Sequence, residues 1–346
     1  MNLPPYVADI LSQPEGLRRV LANYQPEKLV PIAARIAAGG YQRMVMTGMG
    51  ASYTSCYPAY LMLTRLNLPV AMIETSELLH AAPGAVNSQT LLWVQSQSGQ
   101  SAEVSHLVAN LQEAPAATTV GVTDNLGSPL GRYASPTIAL YSGVEATVST
   151  RSYLNTLAVS LLGAVQLTGG DLNQACGQLL QAVDAVEAYL ANWQARVVEI
   201  KEQVGIPKKL MVIGRGPSLA AVRTSSFTMK ESTKEACEGM EAAQFRHGPL
   251  EMADGTLSLL VFEGLSRYSA MNRQIALEVA DHGGHAFWIS PRADTLLPTL
   301  PLPVVPELAL PLVEILPLQM LTIALAELLG REPGKFRYMG KVTLVE

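Results

Sequence analysis

The stretch Ser96-Gln97-Ser98-Gly99-Gln100-Ser101 crowds three hydroxyls, side-chain amides and a glycine between an apolar run at 91–95 and a helical pattern starting near Ala102. At a strand-to-helix turn the first backbone N–H groups of the helix lack intrahelical partners, and a glycine lets such donors converge. A turn of this kind makes a nest for a dianionic phosphate, held by directed donors instead of lysine or arginine charge. A polar loop with a serine cap is the competing reading.

A second turn, Gly48-Met49-Gly50-Ala51-Ser52, also follows an apolar run. Tyr53 stands where a dinucleotide fingerprint needs a third small residue, and no Lys-Ser/Thr pair follows to make a nucleoside-triphosphate loop. What remains is a helix start with the Ser52 hydroxyl, suited to a phosphate or to capping. Ser149-Thr150, ahead of the next helical run, offers further donors or another cap.

Lys230-Glu231 closes a helical run and His247-Gly248-Pro249 opens another. A carboxylate and an imidazole could act as base and ring-opening acid–base group, although sixteen residues apart they cannot share one helix face. Each alone reads as a solvated helix residue or a surface histidine. The remaining histidines (His80, His106, His282, His285) have no metal-ligand spacing, so neither metal nor cofactor is expected.

Positioning such groups calls for alternating elements, and the pattern supplies them. The chain through Gly40 reads helical. Short apolar runs at 44–47, 69–73, 91–95, 118–123 and 137–140 then alternate with amphipathic ones at 53–65, 102–111 and 152–167. A single connecting helix is predicted over 172–204. Alternation resumes with strands at 210–213, 257–262 and 286–289 and helices at 219–234, 267–281 and 311–329, the last containing Pro317. Alternation of this type predicts parallel sheets covered on both faces. Met44-Val-Met-Thr-Gly48-Met-Gly50-Ala-Ser52 has a counterpart in Leu210-Met-Val-Ile-Gly214-Arg-Gly216-Pro-Ser218, which points to a duplicated α/β unit.

Composition sets the outer limits. Of 346 residues, 49% are apolar and 15% charged, with a net charge of −5. That excludes a disordered chain, and with no basic run it argues against nucleic-acid or membrane partners. Spare apolar surface suggests an oligomer. Apolar runs at 157–167 and 321–329 fall short of the ~20 residues of a membrane span. The start, Met1-Asn2-Leu3-Pro4-Pro5, shows no signal peptide, and Cys56, Cys176 and Cys237 are odd in number and far apart. A cytoplasmic, two-domain protein handling a small molecule is expected.

Gly50-Ala51-Ser52-Tyr53, Ser96-Gln97-Ser98-Gly99, Ser149-Thr150, Lys230-Glu231, Arg246-His247-Gly248-Pro249-Leu250, Pro317-Leu318-Gln319 and the ending Lys341-Val342-Thr343-Leu344-Val345-Glu346 occur in the order typical of the double-SIS (sugar isomerase) family. From Gly48 onward the chain resembles the isomerase part of glutamine–fructose-6-phosphate aminotransferase. It equally resembles the free-standing amino-sugar-phosphate deaminases and fructosamine-6-phosphate deglycases. The resemblance implies an α/β fold of two tandem doubly wound parallel-sheet SIS domains with flanking helices. They would divide into an N-terminal helical arm (1–40), a first domain (41–170), a helical connector (171–205), a second domain (206–330) and a tail closing on the site (331–346).

The same resemblance implies a sugar phosphate held by Gly50, Ala51, Ser52, Ser96, Gln97, Ser98, Ser101 and Ser149. Glu231 corresponds to the base that moves a proton between C1 and C2. His247 corresponds to the ring-opening residue, which in this family comes from the partner subunit of a homodimer. Lys341 corresponds to the catalytic lysine of the tail. Thr228 stands where the aminotransferase and typical deaminases carry lysine, a departure shared with the deglycases. No cysteine nucleophile precedes the first motif, so glutamine-dependent aminotransfer is not expected. The implied activity is C1/C2 proton transfer on a 6-phosphorylated amino- or fructosamine-type hexose, coupled to C–N cleavage. Simple aldose–ketose isomerisation and non-catalytic sugar-phosphate binding are the alternatives.

Overall fold

Ten strands form two five-stranded, wholly parallel sheets in a computed structural model that describes residues 3–338 and 340–345. Met1, Asn2 and Glu346, which belong to the terminal motifs read above, lie outside the described residues, as does Met339. The first sheet comprises β1 (Arg43–Gly48), β2 (Val70–Met72), β3 (Thr90–Gln95), β4 (Thr118–Thr123) and β5 (Thr137–Ala139), in the order β2-β1-β3-β4-β5. The second comprises β6 (Lys209–Gly214), β7 (Glu238–Glu241), β8 (Leu257–Phe262), β9 (His285–Ser290) and β10 (Thr299–Pro301), in the order β7-β6-β8-β9-β10. Counted from the first strand of each sheet, the two orders are identical. The α/β class and the doubly wound, parallel arrangement are as predicted.

The central strands show why. Every residue of β3 (Thr-Leu-Leu-Trp-Val-Gln) and of β8 (Leu-Ser-Leu-Leu-Val-Phe) is buried. Both faces of a parallel strand are covered by helices, so its sequence is a continuous apolar run with no alternation. The chain divides into two compact units, one per sheet. The first-sheet unit comprises Glu15–Glu145, Ser149–Leu180 and Arg337–Glu346; the second-sheet unit comprises Met1–Pro14, Ala146–Val148 and Gln181–Phe336.

Four expectations change. The helix predicted over 53–65 is two short ones, Gly50–Thr54 and Tyr57–Leu63, with Pro58 in the first turn of the second, where its missing N–H costs nothing. The connecting helix predicted over 172–204 is also two, Leu172–Leu190 and Trp193–Val204, the second entered through Asn192 in a non-helical conformation. Strands β7 and β10 escaped notice because neither holds an apolar run: β7 is Glu-Gly-Met-Glu and β10 is Thr-Leu-Pro, both at a sheet edge. Finally, the last helix, Leu310–Leu328, contains Pro317 as predicted, but the apolar segment it belongs to is longer than expected. Residues Glu307–Leu328 are long and apolar enough to cross a membrane by length and composition (22 residues, mean hydropathy 1.9), contrary to the reading of short runs. That surface is covered by protein: 89% of its most apolar window is buried inside the molecule.

Of the two glutamates in the helix Leu310–Leu328, Glu314 and Glu327, the first is buried. Glu314 is fully buried; its Oε1 accepts a 2.6 Å hydrogen bond from Ser218, and its Oε2 has no partner among the described residues. Burial pushes its carboxyl up to about 8, against the smaller opposing effect of the Ser218 donor. Between the ordinary carboxylate range and that value, the unfolded chain releases a proton that the folded chain keeps. The stabilisation is therefore complete at low pH and is lost as pH rises toward 8, by roughly 1.4 kcal/mol per unit. Glu314→Gln should flatten this dependence. Urea midpoints at pH 5, 6.5 and 8 would check it, and parallel slopes for the two proteins would refute it.

Candidate functional site

Turns at the carboxyl ends of β1 and β3 gather the predicted binding residues in the first-sheet unit. Gly48 pairs with Gln95 in the ladder, so the loops after these strands start side by side. Turned as its neighbours require, the buried Gln95 amide accepts from the Trp93 indole N–H (2.9 Å) and donates to the Ser52 carbonyl (2.9 Å), fixing one loop to the other. Gly50, at φ +51°, opens the short helix; Met49 occupies the cap position and Ser52 lies inside the first turn, half-buried, so it is not the cap.

The loop after β3 is pinned from beneath. Ser96 is buried, and its Oγ accepts from Gly99 N–H at 3.1 Å. The Gln97 carbonyl accepts from Asp124 N–H (3.0 Å) and Thr123 Oγ1 (3.1 Å), and its side-chain amide donates to Asp124 (3.3 Å). Ser98 is half-buried and its Oγ accepts from the exposed Gln100's N–H at 3.3 Å. Gly99 adopts φ +63°, which turns the chain toward the helix Ala102–Glu113. Ser101 takes the cap position of that helix without capping it: its Oγ is buried and has no hydrogen-bond partner among the described residues. A buried hydroxyl left unpaired is costly, and such groups call for an explanation.

Thr150 and Ser152, at the start of the helix Arg151–Leu167, are not open donors. Glu145, with its side chain fully buried, draws them in. Its Oε1 accepts from Thr150 N–H (2.8 Å), Thr150 Oγ1 (2.9 Å) and Ser152 N–H (3.0 Å), and its Oε2 from Ser152 Oγ (2.6 Å) and Lys341 Nζ (2.7 Å). Burial opposes this carboxylate's charge; the Lys341 ammonium and the Ser152 donors outweigh it and hold the group below the usual carboxylate range. Ser149 is half-buried beside this cluster in sequence. Nothing in the sequence reading picked out Glu145. The available signal was an acid five residues ahead of Thr150, too far to look like a helix cap.

The second-sheet unit holds the other predicted residues. Glu231 is half-buried near the end of the helix Leu219–Thr233, and its carbonyl accepts from the Lys234 ammonium. Thr228, three residues earlier, is buried at 5% exposure, a setting that suits a short side chain and not a lysine. His247 is exposed, one residue beyond the turn that closes the helix Ala242–Phe245. The turn after β8, which corresponds to the serine-rich loop after β3, carries Glu263, whose carboxylate takes up Ser269 (2.9 Å) and Ser290 (2.6 Å). A carboxylate there accepts hydrogen bonds where the first-sheet loop offers hydroxyl and amide donors. Burial raises the thiols of Cys56 and Cys237, the latter to about 12, which disfavours the thiolate in both.

The chain is similar to known proteins along most of its length. Residues 41–165 match the SIS domain model. The chain is 27% identical over 348 residues to glutamine–fructose-6-phosphate aminotransferase of Pyrococcus horikoshii, covering 98% of this chain and 57% of that protein. It thus spans little more than half the length of the curated relatives it matches. Among solved structures, the C-terminal domain of glucosamine-fructose-6-phosphate aminotransferase from Francisella tularensis superposes with a TM-score of 0.83 at 17% identity, covering 95% of this chain and 98% of that one. Tagatose-6-phosphate ketose/aldose isomerase from Escherichia coli gives 0.81 at 17% identity, with 96% of each chain covered. Residues 41–165 thus match the SIS domain model, and the chain is similar along its length to part of glutamine–fructose-6-phosphate aminotransferase.

Proposed function

We propose that this protein is a phosphosugar enzyme acting on a 6-phosphorylated hexose that bears nitrogen at C1 or C2, working in the cytoplasm as a homodimer. The observation that carries the reading is Ser101: a buried, unpaired hydroxyl at the head of a twelve-residue helix, at the end of a loop of serines and amides. A phosphate oxygen would satisfy that hydroxyl and the helix N-terminus together. Anchoring the phosphate supplies binding energy remote from the reacting carbons and orients them.

Roles for the remaining residues rest on the family resemblance. His247, supplied by the partner subunit, transfers a proton between the ring oxygen and the anomeric hydroxyl to open the ring. With nitrogen on C1 and the carbonyl at C2, Glu231 removes a proton from C1 and returns it to C2 through an enolamine. The resulting C1 imine is hydrolysed by water to hexose 6-phosphate and the free amine. Thr228 in place of the family lysine favours this C–N cleavage of fructosamine-type substrates over deamination of a 2-amino sugar.

Assays for free amine, ammonia and hexose 6-phosphate over a small panel of phosphorylated amino sugars test the proposal. Release of amine with hexose 6-phosphate supports it, and ketose–aldose exchange alone overturns the cleavage step. Tight sugar-phosphate binding without turnover across pH 6–8.5 would make the protein a sensor. Ser101→Ala should weaken sugar-phosphate affinity about 10–100-fold, the worth of a hydrogen bond to a charged group, without lowering the urea midpoint. A loss of stability with unchanged affinity would show that the hydroxyl serves the fold instead.

A further inference from the structure

We propose that Glu145 is a positioning residue that latches the C-terminal segment, setting where the Lys341 ammonium stands. An electrostatic imbalance surrounds the carboxylate. Four neutral donors from Thr150 and Ser152 point at it in a site without solvent exposure. Neutral donors stabilise a buried charge but do not cancel it, and an uncompensated buried charge is among the most costly features a fold can carry. Lys341 supplies the countercharge at 2.7 Å, sharing Oε2 with Ser152.

Two residues further on, the Thr343 carbonyl accepts a 3.1 Å hydrogen bond from Ala102 N–H, the first amide of the helix that follows the serine loop. Residues 341–343 are thus tied at both ends, by a side chain to Glu145 and by the main chain to the rim of the nest. Apolar burial contributes little to this docking. Tyr338, Leu344 and Val345 are 95%, 70% and 79% exposed and Val342 is half-buried, so the transfer free energy that holds most chain segments is small here. The ion pair therefore decides whether the strap lies down. Its bearing on chemistry rests on the phosphosugar reading above, in which Lys341 acts on the bound sugar; the docking itself does not.

Amide hydrogen exchange on the whole protein, without ligand, tests the latch directly. Glu145→Gln keeps the shape of the side chain but removes its charge, and should speed exchange of residues 340–345 and of the Ala102 amide at least tenfold while leaving β1 and β3 unchanged. Should the buried neutral amide of that variant unfold the helix start, Lys341→Met breaks the same ion pair from its more exposed end and should release the same amides. The double variant should exchange no faster than either single one. Wild-type exchange in Lys341→Met, or additive effects in the double variant, overturns the proposal. With a turned-over phosphosugar, the two single variants should lower kcat non-additively, which a purely structural role would not produce. If exchange responds but no phosphosugar binds, the latch stands and the functional reading fails.

Discussion

Glu231→Gln is expected to lower kcat/KM for the phosphosugar by about 10²–10⁴-fold, the range usual for removing a well-placed general base. The substitution is nearly isosteric, and it keeps the main-chain carbonyl that accepts from the Lys234 ammonium. Folding should therefore survive. Ligand affinity should also survive, because the donors proposed for the phosphate belong to the serine loop. The loss should fall on kcat, with the dissociation constant measured by calorimetry close to that of the wild type. Full activity in the variant would remove Glu231 from the mechanism. An equal loss of affinity would turn it into a binding residue.

Gly99→Ala should be the most damaging single change in the nest. At φ +63° a non-glycine residue pays about 1–2 kcal/mol for the left-handed conformation. The added Cβ would also overlap Ser128 Oγ and come within 2.8 Å of Thr123 Oγ1. Neither neighbour can move freely. Ser128 caps the helix Pro129–Tyr133 by accepting from Gly131 N–H while donating to the Asn125 carbonyl at 2.6 Å, and Thr123 holds the Gln97 carbonyl. The loop must give way, so a drop in stability of several kcal/mol and at least a hundredfold loss of sugar-phosphate affinity are expected. Urea unfolding and calorimetry on the same preparation measure both. Unaltered affinity would mean that the phosphate does not sit in this turn. The contrast with Ser101→Ala, which should cost affinity alone, separates the architecture of the nest from its chemistry.

Much of this is legible in the residues alone. The central strands announce themselves because burial on both faces leaves only apolar residues, as in Leu91-Leu92-Trp93-Val94 and Leu257 through Phe262. The paired Gly-x-Gly-x-Ser turns announce two similar halves, and both sheets share one strand order, with Gly50 and Gly216 at φ +51° and +57°. Edge strands carry a weaker signal: β2 and β5 are legible as short apolar runs, whereas β7 is half polar, with one flank that has no strand to pair with. The long apolar helix is underrated because Pro317 and Glu314 interrupt its composition, whereas a buried setting tolerates both.

Residue order alone determined the parallel α/β architecture, the places of the turns and the chemical inventory of the serine loop, since periodicity and turn chemistry are local properties. It also left each hydroxyl with two readings, cap or ligand donor. Only the tertiary structure decided between them, because whether a donor is free depends on acceptors distant in the chain. Thr150 and Ser152 lose their freedom to Glu145, which itself meets Lys341 from 196 residues away. Ser101, of the same residue type and in a similar turn, keeps a buried hydroxyl with no partner among the described residues. Sequence named the candidates, and burial without a partner makes Ser101 the one on which the phosphate proposal rests.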